Sequence, residues 1–142
     1  MQKVFKMQLH QVKLTKTDTC LTYALKRLGL EPTYCDHNSI HEYFTQLPFP
    51  KKEVELEPGT IFLWDKDMEW TWLPWKINKS GKIEWSNVQV GYHYGLYEGD
   101  GLFSDCTRLV NTPHPTIRMR KLNEVKKRPD WILIFQEPNI YI

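Results

Sequence analysis

Between Thr17 and Gly29 the chain sets Cys20, Leu21, Ala24, Leu25 and Leu28 at helical spacing, behind the N-capping residues Thr17-Asp18-Thr19 and ahead of a glycine stop. This pattern predicts one amphipathic helix. Upstream, Val4, Phe5, Met7, Leu9, Val12 and Leu14 come close to alternation with a slip near Gln11, the pattern of an N-terminal strand or extended arm. Ser39 is placed to cap a second, short helix holding Ile40, Tyr43, Phe44 and Leu47, which Pro48 and Pro50 end. Beyond the turn Glu57-Pro58-Gly59, the bulky run Thr60-Ile61-Phe62-Leu63-Trp64 reads as a central strand.

The remaining pattern is all strand and turn. Ile77 and Ile83 flank the polar loop at residues 78–82, which predicts a hairpin. Val88 to Tyr97 reads as one strand, Glu98-Gly99-Asp100-Gly101 as its turn, and Leu102 to Thr107 as the returning strand. Thr116 to Leu122 and Trp131 to Gln136 complete the set, joined by a loop at Leu122 to Val125 and a solvated connection at Lys126 to Asp130. Helices first and mostly antiparallel strands after them predict an α+β domain, with the leading helix packed on a sheet of five to six strands. The hairpin spacings exclude a repeating βαβ unit.

Composition narrows the class. The 142 residues, 41% hydrophobic and 13% aromatic, fit a single folded domain over residues 1–142 and exclude a disordered chain. A formal net charge of +2 is too balanced for a nucleic-acid neutraliser, so no nucleic-acid partner is expected. The N-terminal stretch lacks the uninterrupted apolar core of a signal peptide. The longest strongly apolar run, Trp131 to Phe135, is far short of the ~20 residues of a membrane helix. The expectation is a soluble, cytoplasmic protein with no membrane contact, reaching any external substrate through lysis or a delivery partner. Three cysteines, an odd number in no close pairs, argue against a disulfide framework.

One of these cysteines is placed for chemistry. Cys20 stands where the helix begins, and the exposed amides and dipole there stabilise a thiolate. A thiolate nucleophile needs an imidazole to hold its charge and protonate the leaving group, and that imidazole needs an orienting acceptor. His93 and Asp105 lie in the two strands of one hairpin, as cross-strand or diagonal neighbours if the turn is tight. Asp105 has other uses open to it, capping the hairpin or pairing with Arg108, and Asp100 is an alternative third residue, although Gly99-Asp100-Gly101 has turn chemistry.

Three blocks carry a resemblance. Thr19-Cys20-Leu21-Thr22-Tyr23-Ala24 with Leu28-Gly29-Leu30, then Pro58-Gly59-Thr60-Ile61-Phe62-Leu63-Trp64, then Tyr92-His93-Tyr94-Gly95-Leu96-Tyr97-Glu98-Gly99-Asp100-Gly101 resemble, in that order, the cysteine helix, first sheet strand and histidine segment of the NlpC/P60 and CHAP cysteine hydrolases. Asp18 matches the acidic residue often found before that cysteine. The resemblance implies a papain-like fold and a Cys20–His93–Asp105 triad: Cys20 attacks an amide or ester carbonyl, His93 protonates the leaving group and then activates water, and Asp105 fixes the imidazole tautomer. It also implies an amide bond of a peptide or peptidoglycan-like substrate as the target. Leu21, Thr60 and Asp105 stand where the family commonly has Ser, Asp, and His or Asn. No tyrosine precedes Cys20, so an oxyanion donor would come from the Cys20 amide, with Gln8 or Gln11 as weaker candidates.

The Trp-rich stretch at about residues 66–87 departs from a minimal hydrolase. Trp70 and Trp72, with Tyr92 beside the histidine, are the substrate-binding candidates. Cys35, His37 and His41 are spaced like metal ligands, but only three are visible, which favours a polar loop entering the short helix. No metal or other cofactor is expected. Cys106, next to Asp105, should face the opposite side of the sheet and pack. Two other readings stand beside hydrolysis: an acyltransferase or deamidase with the same triad, and a catalytically inactive binding module gripping its partner through the Trp-rich insertion.

Overall fold

The computed structural model describes residues 9–52, 56–65, 68–77, 79–81, 83–90, 92–107, 115–125 and 127–136. Helix α1, Cys20–Arg27, starts and stops on local chemistry. The Thr22 amide donates to Thr19 Oγ1 (3.2 Å) and the Thr19 amide to Thr22 Oγ1 (2.8 Å), a reciprocal capping box. Asp18 reinforces that end by accepting from Thr22 Oγ1 and Lys26 Nζ, both at 2.8 Å. At the other end the Leu30 amide reaches Leu25 O and the Gly29 amide reaches Lys26 O, both at 2.9 Å, with Gly29 at φ +77°. A helix of eight residues is marginal alone, and burial of Leu21 and Leu25, about 2 kcal/mol each, lets this one persist.

Among the described residues the architecture is α+β, with one short α-helix and a six-stranded antiparallel sheet. In chain order the strands are β1 (Phe44–Pro48), β2 (Ile61–Trp64), β3 (Met68–Ile77), β4 (Ile83–Val90), β5 (His93–Gly99), β6 (Leu102–Thr107), β7 (Thr116–Lys121) and β8 (Trp131–Phe135). The main sheet runs β1-β8-β2-β5-β6-β7, and β3 with β4 forms a separate two-stranded ribbon. Both faces of the main sheet are covered. Ile61, Leu63, Tyr94, Leu96 and Leu133 pack under α1 with Ala24 and Leu25, while Phe62, Trp64, Tyr97, Phe103 and Ile132 form a second cluster on the opposite face with Leu56 and Leu122. Burial on both sides is why β2 reads as an unbroken apolar run.

Of the two readings left open for the N-terminal stretch, strand or arm, residues 9–15 take the arm: they form no strand and are held by the His10 amide on Arg27 O (2.8 Å) and by Arg27 Nη1 on His10 O (2.6 Å). Residues 1–8, the first part of that expectation, lie outside the described residues. The second helix is only a 3-10 turn, Ile40–Glu42, and Phe44–Pro48 is instead edge strand β1, paired with β8 from Phe44↔Phe135 to Pro48↔Trp131. Ser39 does not cap that turn: it sits in αR and closes onto Asp36. A pairing edge offered by β8 outweighs the weak four-residue periodicity, and Pro48 is tolerated at the end of an edge strand.

Val88 to Tyr97 is two strands in different sheets, β4 ending at Val90 and β5 beginning at His93. The loop at Leu122 to Val125 contains a 3-10 turn, Leu122–Glu124. The connection before β8 is tied down rather than merely solvated: Asp130 accepts from the Asp65 amide and Trp64 Nε1 donates to Lys127 O, both at 2.9 Å. Among the described residues no helix is long and apolar enough to cross a membrane.

Candidate active site

Cys20 is the first residue of α1, half-buried against β5. The amides of Thr22 and Tyr23 are taken by Thr19, which leaves those of Cys20 and Leu21 at the electropositive end of the helix. His93 opens β5, directly across from Trp64 on β2. The ladder between β5 and β6 pairs Leu96 with Ser104 and Tyr97 with Phe103, and extending that register puts Asp105 opposite Gly95 and diagonal to His93, on one face. A Cβ at Gly95 would lie 3.1 Å from the Phe103 ring and 3.3 Å from Trp64, so a side chain there requires those rings to give by a few tenths of an ångström.

The imidazole joins the other two groups. His93 Nε2 donates to Asp105 Oδ2 at 2.7 Å, and the ring also hydrogen-bonds the Cys20 thiol, for which Nδ1 is the nitrogen left over. Thus all three predicted catalytic residues meet, from α1, β5 and β6. Asp105 is fully buried and receives more than the histidine. Arg118 on β7 grips it with Nε on Oδ1 (3.0 Å) and Nη2 on Oδ2 (2.8 Å), and Arg120 adds Nη2 on Oδ2 at 2.9 Å.

These contacts decide the ionisation. Burial alone would push the Cys20 thiol up, but the hydrogen bond and charge of His93, with the Tyr94 amide, outweigh it and hold the thiol below its ordinary value. Burial would likewise discharge His93, yet Asp105 and Cys20 raise it from 6.5 to about 9. Burial works against the Asp105 carboxylate too, and His93 with the two arginines reverses that, keeping it well below the carboxylate range. The two shifts are reciprocal: His93 favours the charged form of Cys20, and Cys20 with Asp105 favours the charged form of His93.

Around this centre lie side chains with other roles. Tyr92 is 38% exposed, and the His37 ring stacks on it with centroids 3.6 Å apart and planes 4° from parallel. His37 Nδ1 also shares a 2.6 Å hydrogen bond with the buried Tyr94 hydroxyl. His37, Cys35 and His41 do not converge: Cys35 is buried in the core and His41 is exposed on the 3-10 turn. Among the described residues no group of three or more His, Cys, Asp or Glu side chains could hold a metal ion. Cys106 is buried, adjacent in β6 to Asp105 and so on the other face.

Trp70 and Trp72 fall on the β3 backbone, within the ribbon that leaves the main sheet at Trp64 and returns at His93; the expectation that their side chains wall a cleft lies outside the described residues. Gln11 is exposed on the extended arm, and Gln8 and Arg108 lie outside the described residues. A shallow cavity of about 520 Å³, lined by Leu56, Pro58, Tyr97 and residues of the Gly99–Gly101 turn, lies at the far end of β5. At roughly 3.3 Å per strand residue that is about 20 Å from His93, so it is no part of this site.

Arg118 and Arg120 are the residues around Asp105 that the sequence reading missed. The available signal was their two-residue spacing in Thr116-Ile117-Arg118-Met119-Arg120, which puts both on one strand face. No family model matches this chain, nor does any curated protein or solved structure.

Proposed function

We propose that this protein is a papain-like cysteine hydrolase of the NlpC/P60 and CHAP type, cleaving an amide bond in a peptide or peptidoglycan-like substrate through a thioester intermediate. The observation that carries this reading is the single imidazole of His93 between the Cys20 thiol and the buried Asp105 carboxylate, with a different ring nitrogen available to each. The thiolate at a helix N-terminus attacks the carbonyl carbon, and the oxyanion that forms is met by the Cys20 amide. The His93 proton passes to the leaving amine as the C–N bond breaks. His93 then takes a proton from water, the hydroxide adds to the thioester, and the carboxylic acid departs as the thiolate is restored.

The decisive experiment is thiol labelling at neutral pH. Cys20 should react at least tenfold faster than Cys35 or Cys106, and His93→Ala should abolish the difference. Slow, equal labelling of all three would instead identify a binding module with an inert site. Incubating the protein with a candidate acyl donor and an added amine separates hydrolysis from acyl transfer, since the two acceptors give products of different mass.

A further inference from the structure

We propose that Arg118 and Arg120 are positioning residues that lock Asp105 against His93 and set the pH window in which Cys20 reacts. This rests on the thiolate–imidazolium reading above and adds the device that tunes it. The first support is geometric. Asp105 Oδ2 accepts from His93, Arg118 and Arg120 at 2.7, 2.8 and 2.9 Å, and Oδ1 accepts from Arg118 Nε at 3.0 Å. A carboxylate gripped by a two-point guanidinium fork cannot rotate away from the imidazole it orients.

The second support is the inverted pattern of β7. Arg118 and Arg120 turn inward, with side chains only 18% and 27% exposed, while Ile117 and Met119 are 41% and 56% exposed on the other face. Hydrophobic burial would favour the opposite choice. The register explains it: Asp105 pairs with Arg118 and Phe103 with Arg120, whose guanidinium lies 5.0 Å over the Phe103 ring. The strand has given its inner face to the carboxylate.

The consequence is a charge surplus. Two guanidiniums and one imidazolium stand against one carboxylate and one thiolate, leaving one positive charge in excess. That surplus favours the thiolate and disfavours the imidazolium. Tyr23 from α1 and Tyr94 from β5, which interact electrostatically with Asp105 and Cys20, are phenols held neutral by burial over the same range.

The test is the pH dependence of Cys20 alkylation in the full chain, read by mass spectrometry of its peptide from pH 5 to 10. Iodoacetate is the probe, an anion drawn by the imidazolium, so its rate rises as the thiolate forms and falls as His93 loses its proton. Arg118→Met removes a charge within about two hydrogen bonds of the ring, and both limbs should move to higher pH by about one unit. Arg118→Lys keeps the charge but loses the fork, so its limbs should stay in place while the plateau rate falls several-fold. Arg120→Met should shift both limbs in the same direction and carries the test should Arg118→Met fail to fold. Folded Arg118→Met and Arg120→Met variants with unmoved limbs would overturn the positioning role while leaving the hydrolase reading intact. A wild-type Cys20 without an acid limb below the ordinary thiol range would overturn both.

Discussion

Replacing Asp105 by Asn keeps the shape of the side chain and removes its charge from beneath three cationic groups. His93 titrates at about 9 against an ordinary 6.5. At roughly 1.4 kcal/mol per pH unit this difference is about 3 kcal/mol, net of the opposing burial and shared between Asp105 and Cys20. The same carboxylate neutralises Arg118 and Arg120, and removing one partner of a buried ion pair costs about 3–5 kcal/mol. The two figures view one charge from different sides and do not add. The expected loss of unfolding free energy at pH 6 is therefore about 3–5 kcal/mol, roughly 10–17 °C in melting temperature for a domain of this size.

The pH dependence has a definite sign. His93 is raised, so its contribution is whole below about 6.5 and is lost as pH climbs through about 9. Asp105 is depressed, so its contribution is present above the ordinary 3.8 and is lost as pH falls through the folded value. Urea unfolding of wild type and Asp105→Asn, followed by tryptophan fluorescence, should give a difference that is flat from about pH 4 to 6.5 and then shrinks toward pH 10 to the part owed to the arginines. A difference below about 1 kcal/mol at pH 6, or one unchanged between pH 6 and 10, would refute this account of the site.

Three further outcomes are expected. Thr19→Ala removes the cap that starts α1, and chemical denaturation should show a loss of about 1 kcal/mol together with slower alkylation of Cys20 as the helix start frays. Gly95→Ala pushes a methyl group toward Phe103 and Trp64, and should cost about 1–3 kcal/mol by thermal unfolding; an unchanged melting temperature would show that these rings give way. Tyr23→Phe deletes the 2.7 Å bond from the phenol to Ser104, whose hydroxyl still reaches Glu98 Oε1 at 2.6 Å, so a loss of about 1 kcal/mol is expected with Cys20 reactivity retained.

The legible parts of the fold were those whose chemistry is local. Thr19, Leu25 and Gly29 carry both ends of α1 in a dozen residues, and the Gly99–Gly101 turn fixes its hairpin in the same way. Cys20 at a helix start, with His93 and Asp105 in one hairpin, was legible because helix and hairpin geometry each constrain where a side chain points. Phe44–Pro48 was not: the four apolar residues Ile40, Tyr43, Phe44 and Leu47 around it fit a helix or a strand, and the partner that decides between them, β8, lies some ninety residues along the chain. The break between Val90 and His93 was hidden likewise, since strands that join different sheets look alike in sequence.

The same division runs through the site. Sequence by itself determined which groups were chemically competent, because thiol, imidazole and carboxylate have intrinsic reactivities and nearest-neighbour backbone preferences place them on particular elements. Tertiary structure alone decided their charges and their company: that β7 turns two arginines inward and two apolar residues out, that Asp105 is fully buried, and that His93 faces a thiol. Ionisation depends on what a group is packed against and how little water reaches it, and those are properties of chain segments brought together from far apart.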